Sequence, residues 1–477
     1  MALTEGTTRR GSRATETRFE LDADRLIDLD RKHKLPGFAP LEEHSRSGPS
    51  LLIVKGKGVF VWDVHGKQYL DGSAAIWNVN LGYGQREVAE AVRDQLEQLS
   101  YHIGLLNVST PPAIELAAKL ASLAPKGLSR VFFTSGGSES NETVIRLSRL
   151  YFKLKGYKNK ITAISRRRGY HGSSTGAASL TGIDHFHEYF EPMLPKVRHI
   201  DPPYCYRCPW KKEYPSCGVV CADEVEKAIL EEGPDNVAFF IAEPVMGAGG
   251  VIPAPPEYFP RIREICDRYD VLMVVDEVIT GTGRTGKMWG IENWGVTPDI
   301  ISTAKGISSG YLPLGAVLVH DKIYDTLLSS PKGTAMWHGF TNTGNPACCA
   351  AGLKVLEIVE RDHLIEHAAK MGARLHEGLQ QLRSSPIVGD IRGLGLMAAV
   401  ELVRDPKTRE AFPEKAGAGV QFRNAAFEAG LLIRAIGDII CMSPPLVISA
   451  SEIDLMIERL GIALKKTEAW ARSEKLI

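Results

Sequence analysis

Two residues with reactive side chains directly follow runs of apolar residues in this sequence. Lys305 comes just after residues 300–303, and Asp276 comes just after residues 271–275. A lysine at the mouth of a buried strand can lose its proton through desolvation and become a nucleophile able to form an imine. A carboxylate in such a place is costly unless it meets a partner, such as a protonated heterocyclic nitrogen. Taken alone, a surface lysine and a helix-capping or ion-paired aspartate are the competing interpretations.

Two other predicted strand ends carry residues suited to a flat, phosphorylated ring. Residues 135–138, Ser-Gly-Gly-Ser, lie between the apolar run 131–134 and a helical pattern. Glycines let the backbone approach an anion, and a helix N-terminus offers free N–H groups and a positive dipole. Tyr170 follows a further apolar run and could stack on the ring. Each segment alone could be an ordinary turn or loop, but the four strand ends together supply what pyridoxal phosphate needs.

The elements that must position these residues follow from the hydrophobic pattern. Six short runs are apolar at nearly every position, which indicates strands buried on both faces. They span residues 131–134, 161–165, 237–242, 271–275, 300–303 and 315–319. Amphipathic helical patterns alternate with them at residues 112–123, 139–155, 222–231 and 256–269. The alternation predicts an α/β fold with a mostly parallel central sheet, whose strand ends at the carboxyl edge would bind the ligand.

The chain of 477 residues is too long for one compact core and is predicted to form several lobes. Residues 1–20 are predicted to be a flexible arm, and residues 21–80, a helix followed by a β-meander, to begin a small domain. Residues 81–345 are predicted to form the large cofactor-binding domain. Residues 346–477 would complete the small domain, so that a smaller α+β domain is made from both chain ends.

The C-terminal lobe shows its own pattern of helices and strands. Helical spacing continues through residues 347–365 and 368–382, and short strand-like runs follow at residues 387–389, 395–402 and 431–435. A last helix is predicted over residues 451–470. Ser451 and Asp454 resemble a capping box and are expected to begin that helix.

The composition excludes several classes of function. Lys+Arg and Asp+Glu number 57 each, so no basic excess points to nucleic acid or to an anionic membrane surface. No apolar run approaches the roughly 18–20 residues that are needed to span a bilayer. The polar N-terminus lacks the apolar region of a signal peptide. We therefore expect a cytoplasmic protein whose eight cysteines are mostly reduced.

A loop rich in cysteine, proline and aromatic residues offers a second kind of chemistry. It contains Cys205, Cys208, Cys217 and Cys221, and the first pair has metal-ligand spacing. A zinc or iron–sulfur site is one interpretation, and buried or paired thiols in an inserted loop are the other. A metal in this loop would leave the lysine chemistry in place, and none is expected to take part in the reaction.

A glycine pattern also suggests a different cofactor. Gly281, Gly283 and Gly286 form Gly-x-Gly-x-x-Gly after a predicted strand, as in a dinucleotide-binding fingerprint. No amphipathic helix follows, because residues 287–295 have the composition of a loop. A nicotinamide-dependent dehydrogenase is therefore disfavoured.

The sequence resembles the class III aminotransferases, which belong to the fold-type-I pyridoxal-phosphate superfamily. The resemblance extends from Trp62 to the C-terminal lobe, and the segments that carry it are residues 132–142, 169–172, 242–245, 275–286, 304–306, 338–341 and 345–346. The segments around Asp276 and Lys305 are highly specific in combination. Within the family, the ω-amino acid or amine:pyruvate branch matches best.

The resemblance implies roles for residues around the cofactor. Gly137 and Ser138 would hold the phosphate, Tyr170 would stack on the ring, and Val278 would pack against the other face of the ring. Asp276 would pair with the ring nitrogen. These assignments require the four strand ends to meet in one cavity.

Further roles implied by the resemblance concern the reaction and the substrate. Lys305 would form the imine and act as the proton shuttle, and Thr341 would reach the phosphate in the neighbouring subunit of a homodimer. Arg434 resembles a mobile arginine that grips a carboxylate, and Trp77 resembles an aromatic residue that lines the same pocket. The family usually has Ser-Gly-Ser in the phosphate cup, whereas here Gly136 replaces the first serine, so one hydroxyl contact is missing.

The activity implied by the resemblance is transamination from an amine or ω-amino acid to a 2-oxo acid, in a ping-pong reaction with shared active sites. Pyruvate is the expected acceptor, because no second arginine matches a motif for a distal carboxylate. Two alternatives stay open: a 2-oxoglutarate-using enzyme of the 4-aminobutyrate type, and a decarboxylase, racemase or aminomutase of the same family.

Overall fold

The computed structural model describes residues 21–331 and 335–477 of the chain. A seven-stranded sheet contains, in spatial order, Leu128–Thr134, Gly315–His320, Ile300–Thr303, Leu272–Asp276, Val237–Ala242, Thr162–Arg166 and Val197–Ile200. Neighbouring strands are parallel, except that Gly315–His320 is antiparallel to both of its neighbours. The mostly parallel sheet predicted from the sequence is therefore confirmed. The arm predicted over residues 1–20 lies outside the described residues.

The central strands are buried on both faces, which explains why their sequences are apolar without alternation. Phe239 and Leu272 pack in one hydrophobic cluster, whereas their chain neighbours Phe240 and Met273 pack in another. All six predicted runs are strands of this sheet. The seventh strand, Val197–Ile200, is absent from the prediction because it lies at the sheet edge and its sequence is half polar.

Helices alternate with these strands along the chain. They are Arg86–Gln98, Pro111–Leu123, Gly137–Leu154, Thr175–Leu180, Val220–Glu232, Tyr258–Arg268 and Asp321–Leu328. Four of them correspond to the predicted helical patterns within a few residues. A short hairpin of Val245–Met246 and Ile252–Pro253 follows the strand Val237–Ala242. Among the described residues, no helix combines the length and apolar character that crossing a membrane requires.

The C-terminal region is a second α/β layer. Its helices are Pro346–Arg361, Leu364–Gln380, Ala418–Glu428 and Ala450–Ser473, and its antiparallel sheet contains Val388–Leu394, Met397–Leu402, Ile439–Met442 and Arg434–Ile436 in that order. The run predicted over residues 431–435 is split into Leu431–Leu432 and Arg434–Ile436, which belong to different sheets. This split places Arg434 at the start of its own strand.

The capping box predicted at Ser451 and Asp454 is wrong by two residues. The last helix begins at Ala450, and Ser449 is its N-cap. Ser449 has an extended backbone, its hydroxyl accepts from the backbone N–H of Glu452 at 3.3 Å, and Glu452 accepts in return from the N–H of Ser449 at 2.7 Å. Ser451 is already helical, so its side chain cannot occupy the capping position.

The N-terminal region contains the helices Ala23–His33 and Leu41–Ser47, followed by the strands Ile53–Lys57, Phe60–Asp63 and Gln68–Asp71. In the last of these strands, Leu70 and Asp71 pair in parallel with Leu431 and Leu432. Segments from both ends of the chain thus share one sheet, as the predicted small domain requires. The exact division of the chain into domains stays a prediction.

Candidate functional site

A cavity of about 260 Å³ lies at the carboxyl ends of the central strands. Its wall includes six of the residues singled out in the sequence: Gly137, Ser138, Tyr170, Asp276, Val278 and Lys305. They come from segments that are far apart in the chain and meet because parallel strands end at the same edge of a sheet. The structure therefore brings together the four strand ends that the sequence pattern selected.

One side of the cavity is the N-terminus of the helix Gly137–Leu154. Its N-cap, Gly136, makes no side-chain capping bond, so backbone N–H groups of the first turn are available for an anion. A Cβ at Gly136 would meet nothing within 4 Å, which leaves open space at the position where the family usually has a serine. The hydroxyl of Ser138 lies 3.2 Å from the N–H of Ser173 and accepts its hydrogen bond. The helix end and this hydroxyl are suited to a phosphate group.

Tyr170 and Val278 line the same cavity and are suited to the two faces of a flat ring. The backbone N–H of Tyr170 donates to Oε1 of Glu243 at 3.1 Å, which fixes the residue at its strand end. Burial raises the pKa of the Tyr170 phenol, so the side chain stays a neutral hydrogen-bond donor. A Cβ on Gly137 would lie 3.0 Å from Val278, so a side chain there would push into the slot.

Asp276 is held by three hydrogen-bond donors. Its Oδ2 accepts from Nδ1 of His171 at 2.8 Å and from Nδ2 of Asn141 at 2.9 Å. Its Oδ1 accepts from the backbone N–H of Val278 at 3.0 Å. The carboxylate is buried, being 3% exposed, and these contacts leave it one orientation at the wall of the cavity. Such a carboxylate can accept a hydrogen bond from a protonated ring nitrogen, whose positive charge would offset the cost of burying the negative one.

Lys305 follows the strand Ile300–Thr303 and has a left-handed backbone, with φ of 46°. Burial lowers the pKa of its amine to about 8, against the opposing effect of the negative charges of Asp276 and Glu243. A much larger fraction of this amine is therefore neutral near pH 7 than for an ordinary lysine, whose pKa is about 10.4. The neutral amine is the form that attacks a carbonyl carbon.

Three further residues of this site, Asn141, His171 and Glu243, have no role that the sequence pattern predicts. Asn141 and His171 hold Asp276, and Glu243 lines the cavity beside Lys305. Glu243 is buried, which raises the pKa of its carboxyl group, and its Oε2 accepts from the N–H of Gly247 at 2.8 Å. All three lie within the segments that carried the family resemblance, but only the spatial arrangement indicates what they contact.

Trp77 and Arg434 are close to each other, although neither forms part of the cavity wall described above. The guanidinium carbon of Arg434 lies 4.8 Å from the centre of the Trp77 ring, a cation–π contact. Arg434 is half-buried, and within the described ranges no ion pair joins it to a carboxylate. Among the described residues, Arg434 therefore lacks the fixed ion pair with a carboxylate that a purely structural arginine would have.

Thr341 is exposed and does not reach the cavity of its own chain. Its backbone oxygen accepts a hydrogen bond from the hydroxyl of Tyr101 at 2.8 Å. Two large apolar side chains near this contact are also exposed: Leu106 is 79% exposed and Trp337 is 81% exposed. Thr341, Leu106 and Trp337 are thus all exposed in the single chain.

The cysteine loop holds free thiols. Cys205 is exposed, Cys208 and Cys217 are half-buried, and Cys221 is buried. Among residues 21–331 and 335–477, no group of three or more cysteine, histidine or acidic side chains is arranged to hold a metal ion.

The cysteine loop is anchored through Glu401, which is buried and accepts from Nε of Arg207 at 2.5 Å and from the hydroxyl of Tyr204. These contacts join the loop to the strand Met397–Leu402. A role in holding the loop in place therefore accounts for its polar residues.

The glycine pattern at residues 281–286 does not begin an α-helix. The buried carboxylate of Glu277 instead accepts from the backbone N–H groups of Gly290 and Ile291, at 2.9 Å and 2.8 Å. A short 3₁₀ turn, Gly290–Trp294, follows. The segment is a loop folded around Glu277, as its composition predicted, and it lacks the helix of a dinucleotide-binding motif.

The donors and acceptors of the cavity match the chemical groups of pyridoxal phosphate. A helix N-terminus and Ser138 fit the phosphate, Tyr170 fits one ring face, Asp276 fits the ring nitrogen, and Lys305 presents an amine to the same cavity. The missing hydroxyl at Gly136 leaves the backbone N–H groups of the helix in place. No other residue of the cavity wall contradicts the fit.

Comparisons with known proteins agree with this site. A family model described as "Aminotransferase class-III" matches residues 42–464. The chain is 42% identical over 442 residues to the putrescine–pyruvate aminotransferase of Pseudomonas aeruginosa, covering 92% of this chain and 96% of that protein. It is 39% identical to the diaminobutyrate–2-oxoglutarate transaminase of Halomonas elongata, covering 94% and 97%. The solved (S)-enantioselective omega-transaminase of Thermomicrobium roseum is 44% identical, has a TM-score of 0.91, and is matched over 94% of this chain and 99% of that one.

Proposed function

The chain belongs to the class III aminotransferases, which are pyridoxal-phosphate-dependent enzymes of fold type I, and from this membership we propose that it moves an amino group from an amine or ω-amino acid to pyruvate. The observation that carries the substrate assignment is Arg434, a cation stacked on Trp77. Among described residues it has no carboxylate partner of its own. A guanidinium in that state is suited to the carboxylate of a small 2-oxo acid.

The residues around the cofactor divide the work of the reaction. When bound, pyridoxal phosphate supplies a carbonyl carbon that takes up the amino group and a ring that accepts electrons. The helix N-terminus at Gly137 and the Ser138 hydroxyl bind its phosphate, while Tyr170 and Val278 hold the ring between them. Asp276 keeps a proton on the ring nitrogen, because its charge and its fixed orientation favour the protonated form.

Lys305 has two tasks, of which the first is covalent attachment of the cofactor. In the second task, Nζ of Lys305 would be the base at the wall of the cavity. Nζ would move a proton at the substrate carbon, and burial, which lowers its pKa to about 8 in the free chain, raises its neutral fraction above that of an ordinary lysine.

Trp77 and Arg434 form the proposed substrate end of the pocket. When a 2-oxo acid is bound, the guanidinium would donate two parallel hydrogen bonds to the oxygens of its carboxylate. When an apolar amine is bound, the guanidinium moves aside and the Trp77 ring provides an apolar wall. One pocket would thus serve both substrates of a ping-pong reaction in turn.

The choice of pyruvate over 2-oxoglutarate is supported by the wall of the cavity. Among the described residues no arginine lines that wall, and Arg434, which lies outside it, is the single cation assigned to a carboxylate, so a second, distal carboxylate has no assigned partner. The name of the Pseudomonas aeruginosa relative contains pyruvate, whereas that of the Halomonas elongata relative contains 2-oxoglutarate. An enzyme that uses 2-oxoglutarate is therefore the second candidate.

We also propose a homodimer in which Thr341 contributes to the phosphate site of the partner subunit. The supporting features are the exposure of Thr341 and the exposed apolar side chains of Leu106 and Trp337 on the segments beside it.

A panel of amine donors tests this proposal, with pyruvate and 2-oxoglutarate as separate acceptors. The expected result is turnover with pyruvate from ω-amino acids, diamines or arylalkylamines, and at least about tenfold lower kcat/KM with 2-oxoglutarate, because the distal carboxylate is buried without a partner. Equal efficiency with both acceptors would support the second candidate. Amine consumption without transfer to either acceptor would indicate a decarboxylase or another member of the family.

A further inference from the structure

The turn that carries Trp77 has an unusual backbone. Ala74, Ala75 and Trp77 all have positive φ angles, of 45°, 56° and 57°. None of them is glycine, and L-residues adopt this region reluctantly because Cβ approaches the backbone. Such conformations persist only where surrounding contacts over-determine them, and they concentrate at functional sites. The contacts that hold this turn therefore decide where the Trp77 ring lies.

One buried carboxylate supplies the side-chain contacts, beside backbone hydrogen bonds such as that from Trp77 N–H to the Ser73 carbonyl at 2.9 Å. Asp71 is 2% exposed, and its Oδ1 accepts from the backbone N–H of Ser73 at 3.0 Å. Its Oδ2 accepts from the N–H of Ala75 at 2.7 Å and from the hydroxyl of Tyr83 at 2.6 Å. Two of the three donors belong to the strained turn itself. Removing this acceptor would leave the N–H groups of Ser73 and Ala75 without their side-chain partner in the segment where the backbone is strained.

The same segment is joined to the strand region that leads to Arg434. The N–H of Gly72 donates to the carbonyl of Leu432 at 2.9 Å, and Asp71 pairs with Leu432 in the parallel register. Arg434 follows two residues later, and its guanidinium lies 4.8 Å above the Trp77 ring. Two chain segments, Asp71 to Trp77 and Leu432 to Arg434, are therefore paired at their first residues, and the side chains of their last residues are in contact.

From this arrangement we propose that Asp71 is a positioning residue for substrate selection. It holds the left-handed turn so that the Trp77 ring lies under the Arg434 guanidinium, and this stacking sets how strongly the pocket prefers a carboxylate-bearing acceptor over an uncharged one. Asp71 touches neither substrate nor cofactor and acts through Trp77 and Arg434. The proposal rests on the substrate roles of those two residues in the proposed function.

The measurement is the ratio of kcat/KM for pyruvate to kcat/KM for propanal, two acceptors of three carbons of which only the first has a carboxylate. Because both values come from one enzyme sample, a partly inactive or destabilised preparation does not change the ratio. In Asp71→Asn we expect the ratio to fall about tenfold, since the guanidinium loses the ring that positions it. The absorbance of the lysine-bound cofactor should stay within a few per cent of wild type at saturating cofactor.

Two further variants make the test decisive. Tyr83→Phe removes only the phenol contact and leaves both backbone donors on Asp71, so a smaller fall of about threefold is expected. If Asp71→Asn does not fold, an unchanged ratio in Tyr83→Phe overturns the proposal. Asp299→Asn is the matched control: Asp299 is equally buried and accepts from the N–H of Met273 at 2.7 Å and from Arg263 at 2.9 Å, in a place without contact to this turn. Its ratio should equal that of wild type.

Arg434→Ala separates a failure of this inference from a failure of the proposed function. If Arg434→Ala lowers the ratio but Asp71→Asn does not, the proposed function stands and the inference is wrong. If Arg434→Ala leaves the ratio unchanged, the pocket assignment is wrong and Asp71 loses its target. In the double variant, Asp71→Asn should add nothing to the effect of Arg434→Ala. A full additional fall would show that Asp71 acts independently of Arg434 and would also overturn the inference.

Discussion

Nδ1 of His171 lies 2.8 Å from Oδ2 of Asp276, and both side chains are buried. The same oxygen accepts from Asn141, so two side chains from different elements orient one carboxylate. In an enzyme that uses a ring nitrogen as part of an electron sink, the orientation of this carboxylate matters as much as its charge. The first prediction follows from that pair.

Asp276→Asn should bind pyridoxal phosphate but lose at least about a hundredfold of the amine half-reaction rate, because an amide cannot keep a proton on the ring nitrogen. Stopped-flow absorbance of the half-reaction measures this directly. His171→Ala keeps the carboxylate and loses one of its donors, so a smaller loss of about tenfold is expected. An Asp276→Asn rate within a few fold of wild type would contradict the electron-sink role of this residue.

Lys305 is predicted to be the site of covalent cofactor attachment. The purified protein should absorb visible light, and borohydride should fix the cofactor on the peptide that contains Lys305. Lys305→Ala should retain bound cofactor without a reducible linkage and should lose turnover. Peptide mass spectrometry after reduction provides the test, and a reducible linkage with normal turnover in Lys305→Ala would rule out the assignment.

The rate of that attachment should depend on pH in a defined direction. The folded-state pKa of Lys305, about 8, lies below the 10.4 or so of an unfolded or exposed lysine, so the neutral amine is already abundant at pH 8. Cofactor addition to the apoenzyme should accelerate about tenfold per pH unit below 8 and level off above it. The readout is borohydride-trapped product against time from pH 6 to pH 10. An increase that continues to pH 10 would show that burial does not lower this pKa.

The same lowered pKa contributes to the pH dependence of apoenzyme stability. Between about pH 8 and pH 10.4 the unfolded chain holds a proton on Lys305 that the folded chain has released, so the free energy of unfolding should rise with pH across that window. Below pH 8 both states hold the proton and the slope from this group vanishes. Lys305→Met, which has no titratable amine, should lack this component.

Some contacts of the site follow from the burial of strands and could be predicted from the sequence, whereas others depend on packing between distant segments. Lys305 and Asp276 follow apolar runs, so their meeting at one sheet edge follows from strand burial alone. The partners of Asp276 are different, because Asn141 is 135 residues away in the chain and His171 is 105 residues away. These residues come into contact with Asp276 only when the helices and strands that carry them pack together in the folded chain.

The strained turn at Ala74 and Ala75 could not be predicted from the sequence, because its residue types do not mark a left-handed backbone. Left-handed conformations are usually marked by glycine or asparagine, and here alanine occupies both positions. The edge strand Val197–Ile200 was likewise hidden by its polar residues. Apolar patterns therefore predicted which strands are buried, whereas no pattern predicted a backbone turn that is held by one side-chain acceptor.

The network at Glu401 should carry a large part of the local stability. Its carboxylate is 3% exposed and accepts from Arg392 at 2.7 Å, from Arg207 and from Tyr204. Glu401→Ala removes an acceptor that these three groups share and should lower the free energy of unfolding by about 3–5 kcal/mol.

A matched control for Glu401→Ala is Glu410→Ala. Its ion pair with Arg404 is 3.2 Å long and about half exposed, so the loss should stay within about 0.5 kcal/mol. Urea unfolding of both variants provides the comparison. Similar losses at the two sites would contradict the buried-network account.

The last prediction concerns Arg434 and the choice between its two proposed positions. The guanidinium stacks on Trp77 at 4.8 Å and, in the described ranges, forms no ion pair, so nothing in that environment prevents it from turning toward an incoming carboxylate. Arg434→Ala should therefore raise KM for pyruvate far more than KM for an uncharged amine.

The magnitude follows from the contact that is lost. A charge-assisted hydrogen bond contributes roughly 1.5–3 kcal/mol, which corresponds to a rise of about ten- to a hundredfold in KM for pyruvate. Arg434→Lys separates charge from shape: a lysine keeps the charge but lacks the two-pronged geometry, so it should recover only part of the loss. Steady-state kinetics with each substrate varied at saturation of the other give both KM values. Equal losses for pyruvate and for the amine would indicate a structural arginine, and full recovery in Arg434→Lys would indicate attraction by charge alone, without the planar contact that the stacking on Trp77 prepares.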